Sequence, residues 1–179
     1  EVLSQALASL APGWSLDVKR SQRGGLSGVH VDVVIPHEHH HRHLHDILEM
    51  INNSDMPEPV KKLAGAIFTN LAEAEAHVHG ISVDEVHFHE VGALDAIIDI
   101  CGAAFAVWYF GITHVTASPV PTGSGFVTCQ HGRLPVPAPA VTELLRKHRV
   151  PIKPDPVEAE LVTPTGAAIL VTLVNAFGP

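Results

Sequence analysis

The chain has 179 residues, of which 46% are hydrophobic and 17% charged, and its formal net charge is −8 with histidine neutral. This length fits one domain with a real core, and a net acidic chain with 11 Lys and Arg residues lacks a basic surface for nucleic acid. The first residues predict no signal peptide, and the longest apolar run, Ala96 to Phe110, is too short to span a bilayer. Its two cysteines form no C-x-x-C pair and no disulfide framework. We therefore expect a cytoplasmic protein with no nucleic-acid or membrane partner.

Alternating hydrophobic residues predict a hairpin near the N-terminus. The first residues indicate the end of a helix that stops at Pro12–Gly13. Trp14 to Arg20 alternates weakly between apolar and polar residues, and Val29 to Ile35 alternates clearly. Such alternation is typical of half-buried strands. Because glycines between the two segments allow the chain to turn, we expect the two strands to pair.

Three helices are predicted after the hairpin. The first ends at Asn52–Asn53 and has apolar residues at i, i+3, i+4 and i+7. These residues are Leu44, Ile47, Leu48 and Ile51. The second is expected to begin with Asp55 as its cap, in a capping box with Glu58, and to end at Gly80. The third runs from about Ala93 to Phe110 and is apolar nearly all round, so we place it in the core.

Short strands and two more helices are predicted in the C-terminal part. The candidate strands are Ile112 to Ser118, Phe126 to Gln130 and Glu158 to Val162. Pro139 opens a helix, and Thr163-Pro164 opens the last one with the threonine as its cap. Helices and paired strands mix without a regular βαβ repeat. The sequence therefore predicts an α+β fold, with several helices packed on a mixed sheet around a single core.

Six of the nine residues between positions 37 and 45 are histidine. They are His37, His39, His40, His41, His43 and His45. Neutral imidazole suits nickel, zinc and copper, so this segment, called the His tract below, predicts metal binding. Residues 36–43 are expected to form a loop, which would give poor geometry and low selectivity. The alternatives are a storage loop without a reaction or an engineered tag.

A second candidate metal site lies just before the central helix. In extended backbone His87 and His89 share a face, and Glu90 follows them. Asp95 and Asp99 are four residues apart on the next helix, so they also share a face. Imidazoles facing carboxylates indicate a metal or acid–base site. Asp99 lies among isoleucines, so we expect it to be buried and partnered, while Asp95 has the alternative of stabilising the helix start.

Two Gly/Thr segments are candidate phosphate sites. One is the start of the last helix, where free N–H groups and the helix dipole attract anions. Its candidate residues are Thr163, Thr165 and Gly166. The other is a glycine-rich turn formed by Thr122, Gly123, Ser124 and Gly125. An ordinary cap and an ordinary turn explain these segments equally well.

One cysteine–histidine pair and one pair of histidines complete the candidates. Cys129 with His131 could hold a soft metal, although a plain half-buried cysteine is the favoured alternative. His77 and His79 end a helix and do not face each other, so a favourable interaction with the helix dipole explains them.

Three segments together resemble the LarC family of nickel-insertion proteins. They are VHFHEVGALDAIIDICGAA, PVPTGSGFVTCQHGRLPVPAPAVTELL and ELVTPTGAAIL, and the His tract follows the first hairpin. The resemblance extends over almost the whole chain. It implies insertion of nickel into a pyridinium-3,5-bisthiocarboxylic acid mononucleotide, which completes the nickel-pincer cofactor of lactate racemase and related enzymes. Two nickel–sulfur bonds and one nickel–carbon bond form, and CTP is consumed.

The resemblance also implies that residues 1–179 are the N-terminal domain of a longer protein. The first strand with its acidic, glycine-rich loop is expected to be missing, as is the C-terminal domain that binds CTP with a divalent metal. The full-length protein would be a lyase-class nickel chelatase, and this chain alone would bind nickel without catalysis. The expected partners are the pyridinium mononucleotide, a lactate racemase-type apoenzyme and further copies of the chain.

Under this hypothesis the candidate residues divide into four roles. His87, His89 and Glu90 hold nickel, and Glu90, Asp95 and Asp99 orient a ligand or accept a proton. The His tract gathers nickel, and the phosphate rests on one of the two Gly/Thr segments. Two alternatives remain, a non-catalytic nickel or zinc storage module and a zinc hydrolase. The hydrolase lacks an H-E-x-x-H motif or comparable spacing.

Overall fold

The computed structural model describes residues 1–35, 42–88, 91–129 and 132–178, and these form six α-helices and ten strands. The helices are α1 (Val2–Leu7), α2 (Leu44–Asn53), α3 (Glu58–His79), α4 (Leu94–Tyr109), α5 (Pro139–Lys147) and α6 (Pro164–Leu173). A short 3₁₀ helix, Val83–Glu85, follows α3. The α+β class is confirmed.

The strands of the described residues form five separate two-stranded sheets. Antiparallel pairs join β1 (Ser15–Arg23) to β2 (Leu26–Val34), β3 (Arg42–His43) to β4 (His87–Phe88), and β7 (Phe126–Cys129) to β8 (Gly132–Pro135). Parallel pairs join β5 (Thr116–Ala117) to β10 (Ala176–Phe177), and β6 (Val120–Pro121) to β9 (Ile152–Lys153). Parallel and antiparallel pairing are thus both present, but the strands do not share one sheet. Since proline donates no ladder hydrogen bond, the proline-rich segments keep the later strands short.

The core is built around α3, which packs against α2, α4, α5 and α6. Its buried stripe includes Ile67, Phe68 and Leu71, each with no exposed surface. The helix ends at Gly80, whose φ of 66° is the left-handed conformation that glycine adopts at low cost. The helix α4 buries residues on nearly every side, which confirms its predicted place in the core.

Two predicted details are wrong. Asp55 does not cap α3, because Met56 precedes a proline and Pro57 is extended with a ψ of 142°, so that Glu58 is the first helical residue. Residues 158–162 form no strand, and within them Glu160 makes one isolated antiparallel bridge to Gly123. The strand predicted for residues 112–118 is shortened to Thr116–Ala117.

The predicted N-terminal hairpin is confirmed, and it lies beside the helical core. Opposite residues Leu16 and Val33 pack against the core, whereas Val18 and Val31, also opposite each other, are 60% and 47% exposed. The base of the hairpin is therefore attached to the core and the rest is in solvent. Among the helices that the structure describes, none is both long enough and apolar enough to cross a membrane.

Candidate metal and substrate site

A cavity of about 380 Å³ lies between the end of α3, the strands β4, β7 and β8, and the first turns of α5 and α6. Its apolar wall includes Phe88, Val91 and Leu134. Its polar lining consists of Glu75, His79, His87, Thr128, Cys129 and Glu160. Imidazole, thiol and carboxylate groups from distant parts of the chain therefore meet at one cavity.

The last turn of α3 places Glu75 and His79 on the cavity wall. Residues four apart share a helix face, and His79 Nε2 lies 3.4 Å from Glu75 Oε2. His77 lies on another face, with Nε2 3.7 Å from Glu143 Oε2. The expectation that the two histidines do not face each other is confirmed, but His79 reaches the cavity in addition to any dipole interaction.

His87 is exposed, and its neighbour Phe88 fixes its backbone. Phe88 is 2% exposed and contacts Phe68 edge to face, with ring centroids 6.3 Å apart. Because successive side chains of a strand point to opposite faces, burial of Phe88 directs His87 outward. The strand β4 pairs with β3, so that His87 lies directly opposite His43 of the His tract.

Cys129 ends β7 and is half-buried at the cavity. The other cysteine, Cys101, lies in α4, where burial raises the pKa of its thiol to about 12. A thiol so hard to ionise is a poor metal ligand, whereas Cys129 is accessible from the cavity. His131, the predicted companion of Cys129, lies outside the described residues.

Two helix N-termini border the cavity. Ala138 to Ala140 form the start of α5, and Pro164 is the first residue of α6. The predicted cap of α6 is confirmed, since Thr163 Oγ1 accepts a hydrogen bond of 3.1 Å from the Gly166 N–H. The first N–H groups of a helix lack intrahelical partners, so both helix starts favour an anion nearby.

The segment 122–125 is tied to residues 156–160. Ser124 donates its N–H and its hydroxyl to the Val157 carbonyl, at 2.9 and 3.0 Å. Gly123 has a φ of 74°, and a Cβ there would lie 1.9 Å from the Ala159 oxygen. Thr122 is buried, and Gly125 accepts a hydrogen bond from the Val136 N–H. This geometry favours the alternative of an ordinary connecting turn, and phosphate binding by this segment stays a prediction.

The two aspartates of α4 are exposed and do not line the cavity. The expectation that Asp99 is buried is wrong, because it lies on the solvent side of α4 while Ile97, Ile98 and Ile100 face inward. Partial desolvation, and secondarily the charge of Asp95, raise the pKa of Asp99. Asp95 Oδ1 accepts a hydrogen bond of 2.8 Å from the Ala96 N–H at the start of α4.

Several predicted ligands lie outside the described residues. They are His37, His39, His40, His41, His89, Glu90 and His131. Among the residues that are described, no group of three or more His, Cys, Asp or Glu side chains has the geometry to hold a metal ion. The metal-binding roles predicted for these residues therefore remain predictions.

Sequence reasoning did not identify two of the carboxylates at the cavity. The sequence could have indicated Glu75, since it lies one helical turn before His79. No sequence pattern indicates Glu160, because it reaches the cavity through its tertiary bridge to Gly123.

Known proteins resemble this chain over nearly its whole length. The family model described as "Nickel insertion protein" matches residues 1–179. The chain is 52% identical over 165 residues to a protein of Geobacter metallireducens, 48% over 176 to one of Roseiflexus castenholzii, and 47% over 181 to one of Myxococcus xanthus, each described as "Putative nickel insertion protein". These matches cover 92%, 98% and 99% of this chain but 42%, 45% and 46% of the relatives. The chain thus spans less than half the length of these curated relatives. No solved structure matches.

Proposed function

Because this chain belongs to the nickel insertion protein family, we propose that its cavity is where nickel is inserted into a pyridinium-3,5-bisthiocarboxylic acid mononucleotide. The product would be the nickel-pincer cofactor of lactate racemase-type enzymes. The observation that carries the proposal is that His79, His87 and Cys129 line one cavity although Cys129 lies far from the two histidines in the sequence. Nitrogen and sulfur ligands of this kind suit nickel.

The cavity also suits the organic substrate. Its volume of about 380 Å³ lies within the range of small-molecule sites. A flat pyridinium ring can lie against the apolar wall of Phe88, Val91 and Leu134. The helix starts of α5 and α6, each carrying roughly +0.5 elementary charge, favour the phosphate and the thiocarboxylates. The phosphate would then rest near Thr163, Thr165 and Gly166.

Formation of the nickel–carbon bond requires a base. The ring carbon exchanges its C–H bond for a bond to nickel, keeps the electron pair and releases a proton, so that nickel remains divalent. Glu75 and Glu160 are carboxylates on the cavity wall that can accept this proton. Glu90, Asp95 and Asp99 are the further candidates from the sequence.

The remaining features of the activity belong to the full-length protein. We place CTP, with its divalent metal, on the part of the relatives that this chain does not span. The lyase-class reaction and delivery to a lactate racemase-type apoenzyme are proposed for that longer protein. Supplied alone, the chain is expected to bind nickel and substrate without turnover.

Nickel or zinc storage is the second candidate function, favoured by the six histidines of residues 37–45. Storage predicts several weak sites that all disappear when the His tract is deleted. Insertion predicts a tighter site that survives the deletion, together with binding of the pyridinium mononucleotide. Titration of both forms of the chain with nickel separates the two functions.

The test uses a chimera in which this chain replaces the matching part of the Roseiflexus castenholzii relative. Formation of the nickel-bound cofactor is followed by mass spectrometry with CTP, nickel and the pyridinium mononucleotide. We expect His87→Ala with Cys129→Ser to slow insertion about 100-fold, because loss of metal-site residues weakens such sites by about 10- to 100-fold each.

The control is His114→Ala, which removes an exposed histidine that does not line the cavity and should insert nickel at the normal rate. Normal insertion by the double variant would show that the cavity is not the site. Absence of insertion by the unaltered chimera would overturn the proposed function itself.

A further inference from the structure

We infer that His43 and His87 form a two-imidazole site for a divalent first-row transition metal, positioned between the His tract and the cavity. The pair links His43, in the described part of the His tract, to His87 of β4. The sequence presents these two histidines in separate motifs. Its existence as a metal site stands on geometry alone. Its use as the transfer point for nickel rests on the proposed function.

The strand pairing of β3 with β4 brings the two rings together. His43 and His87 are direct partners in the antiparallel register, so their side chains lie on the same face of the ladder. Their ring centroids are 3.8 Å apart, with an angle of 47° between the planes. To hold one ion, the exposed His87 ring would have to rotate away from this contact, so that one nitrogen of each imidazole is directed at the shared ion.

A hydrogen bond determines which nitrogen of His43 can bind the metal. His43 Nδ1 lies 3.1 Å from the Val86 carbonyl oxygen. A carbonyl can only accept, so this hydrogen bond forms in the tautomer that carries the proton on Nδ1. The lone pair is therefore on Nε2, and a backbone partner of this kind is the usual support for a metal-binding histidine.

The backbone on both sides of the pair is fixed without a metal. The His43 N–H donates to Asp46 Oδ2 at 2.8 Å, at the start of α2. The Arg42 guanidinium donates through Nη1 to the Gly92 carbonyl at 2.7 Å. A Cβ at Gly92 would lie 2.5 Å from the Phe88 oxygen and 3.2 Å from the Arg42 nitrogen, so the chain after β4 lies tightly against β3. Such preorganisation reduces the entropic cost of binding.

The position of the pair fits transfer better than storage. His43 belongs to the His tract, and His87 lines the cavity that also contains Cys129. Two imidazoles leave coordination positions open to water or to an incoming ligand, so a bound ion can move to a sulfur ligand. His45 lies further away, with its ring centroid 6.0 Å from that of His43, and its Nε2 contacts Asp46 Oδ1 at 3.0 Å.

The test is a nickel titration by calorimetry of the 179-residue chain, without organic substrate. The background variant carries serine at positions 37, 39, 40 and 41, so that ions bound there do not obscure the pair. Apart from any nickel bound at the cavity through His79 and Cys129, we expect a nickel site that is weakened about tenfold or more by either His43→Gln or His87→Gln, because even supporting residues of metal sites contribute that much. The double variant should lose little more than each single one, since both residues hold the same ion.

The control is again His114→Ala, which should leave the nickel affinity unchanged. His43→Gln can keep a donor to the Val86 carbonyl, so loss of binding would not come from loss of β3, and thermal unfolding checks this. Nickel affinity unchanged by either substitution, or losses that simply add, would overturn the shared site. Because no substrate is present, failure of nickel insertion in the chimera would leave this result standing.

Discussion

The environment of each histidine decides what its side chain can do. Among the described residues, four imidazoles lie beside carboxylates and can form ion pairs when protonated: His30 with Asp32, His45 with Asp46, His77 with Glu143, and His79 with Glu75. His43 and His87 differ, since each faces the other ring and His43 also contacts a carbonyl. A neutral imidazole so placed is available as a metal ligand.

The raised pKa of Asp99 predicts how the stability of the fold depends on pH. Partial desolvation and the Asp95 charge raise the pKa of Asp99 in the folded chain, so the folded state binds the proton more tightly than the unfolded state. Above this raised pKa the charged carboxylate destabilises the fold. Below the pKa that Asp99 has in the unfolded chain, this destabilisation disappears. We expect Asp99→Asn to raise the free energy of unfolding at pH 7 by about 0.5 kcal/mol, since the side chain is still exposed.

The measurement is urea unfolding between pH 3 and pH 7, in which the gain from Asp99→Asn should shrink as the pH falls. Asp55→Asn, at an exposed position before α3, reports the effect of removing any surface carboxylate. A gain that is independent of pH, or a loss at pH 7, would contradict the prediction.

At the scale of elements, very short strands position the site. The ladder β3–β4 has two residue pairs, yet it joins the His tract to His87 and Phe88. The bridge between Gly123 and Glu160 similarly holds the chain before α6 against the segment before β7. The site therefore depends on connections that contribute little to the core.

Gly123 allows the second of these connections to be tested. Gly123→Ala places a Cβ 1.9 Å from the Ala159 oxygen at a φ of 74°, so backbone must move. We expect a loss of about 3 kcal/mol or more in the free energy of unfolding, measured in urea, because left-handed strain and a steric clash add.

Gly25→Ala is the matched control, because its φ is 80° and nothing lies within 4 Å of the added Cβ. Gly25→Ala should lower the free energy of unfolding by about 1–2 kcal/mol, because it introduces the left-handed strain without a clash. Equal losses for the two substitutions would show that the close approach to Ala159 does not exist in solution.

For the whole molecule, one continuous core supports a site at its edge. The buried residues of α2, α3, α4, α5 and α6 belong to a single cluster, and the cavity lies where α3 ends. The N-terminal hairpin is attached to this cluster by its base, and most of it is exposed. A two-stranded hairpin is marginally stable without such support.

Hydrogen exchange should therefore differ across the molecule. We expect the amides of residues 18–31 in the hairpin to exchange at least about 100-fold faster than those of Ile67, Phe68 and Leu71, because local opening requires less free energy there. Leu16 and Val33, which pack against the core, are the internal control and should be slower than the rest of the hairpin. Equal protection throughout would contradict an exposed hairpin, and protection that rises with protein concentration would indicate self-association through its apolar face.

The sequence by itself determined the elements whose signals are local. The 3.6-residue period predicted α2, and a run that is apolar nearly all round predicted α4. Gly80 marked the end of α3, Thr163 the cap of α6, and alternation the β1–β2 hairpin. These depend on side-chain size, backbone preference and capping within a few residues. The motifs that resemble a nickel-insertion family also come from the sequence alone.

Tertiary structure alone decided which of these motifs meet. Pairing of β3 with β4 places His43 against His87, and the fold brings His79, Cys129 and Glu160 to one cavity while Asp99 turns to solvent. Local periodicity does not encode these contacts, because they join residues separated by many positions and depend on how the helices pack around α3. For the same reason the strands formed five small ladders instead of the single mixed sheet expected from their spacing.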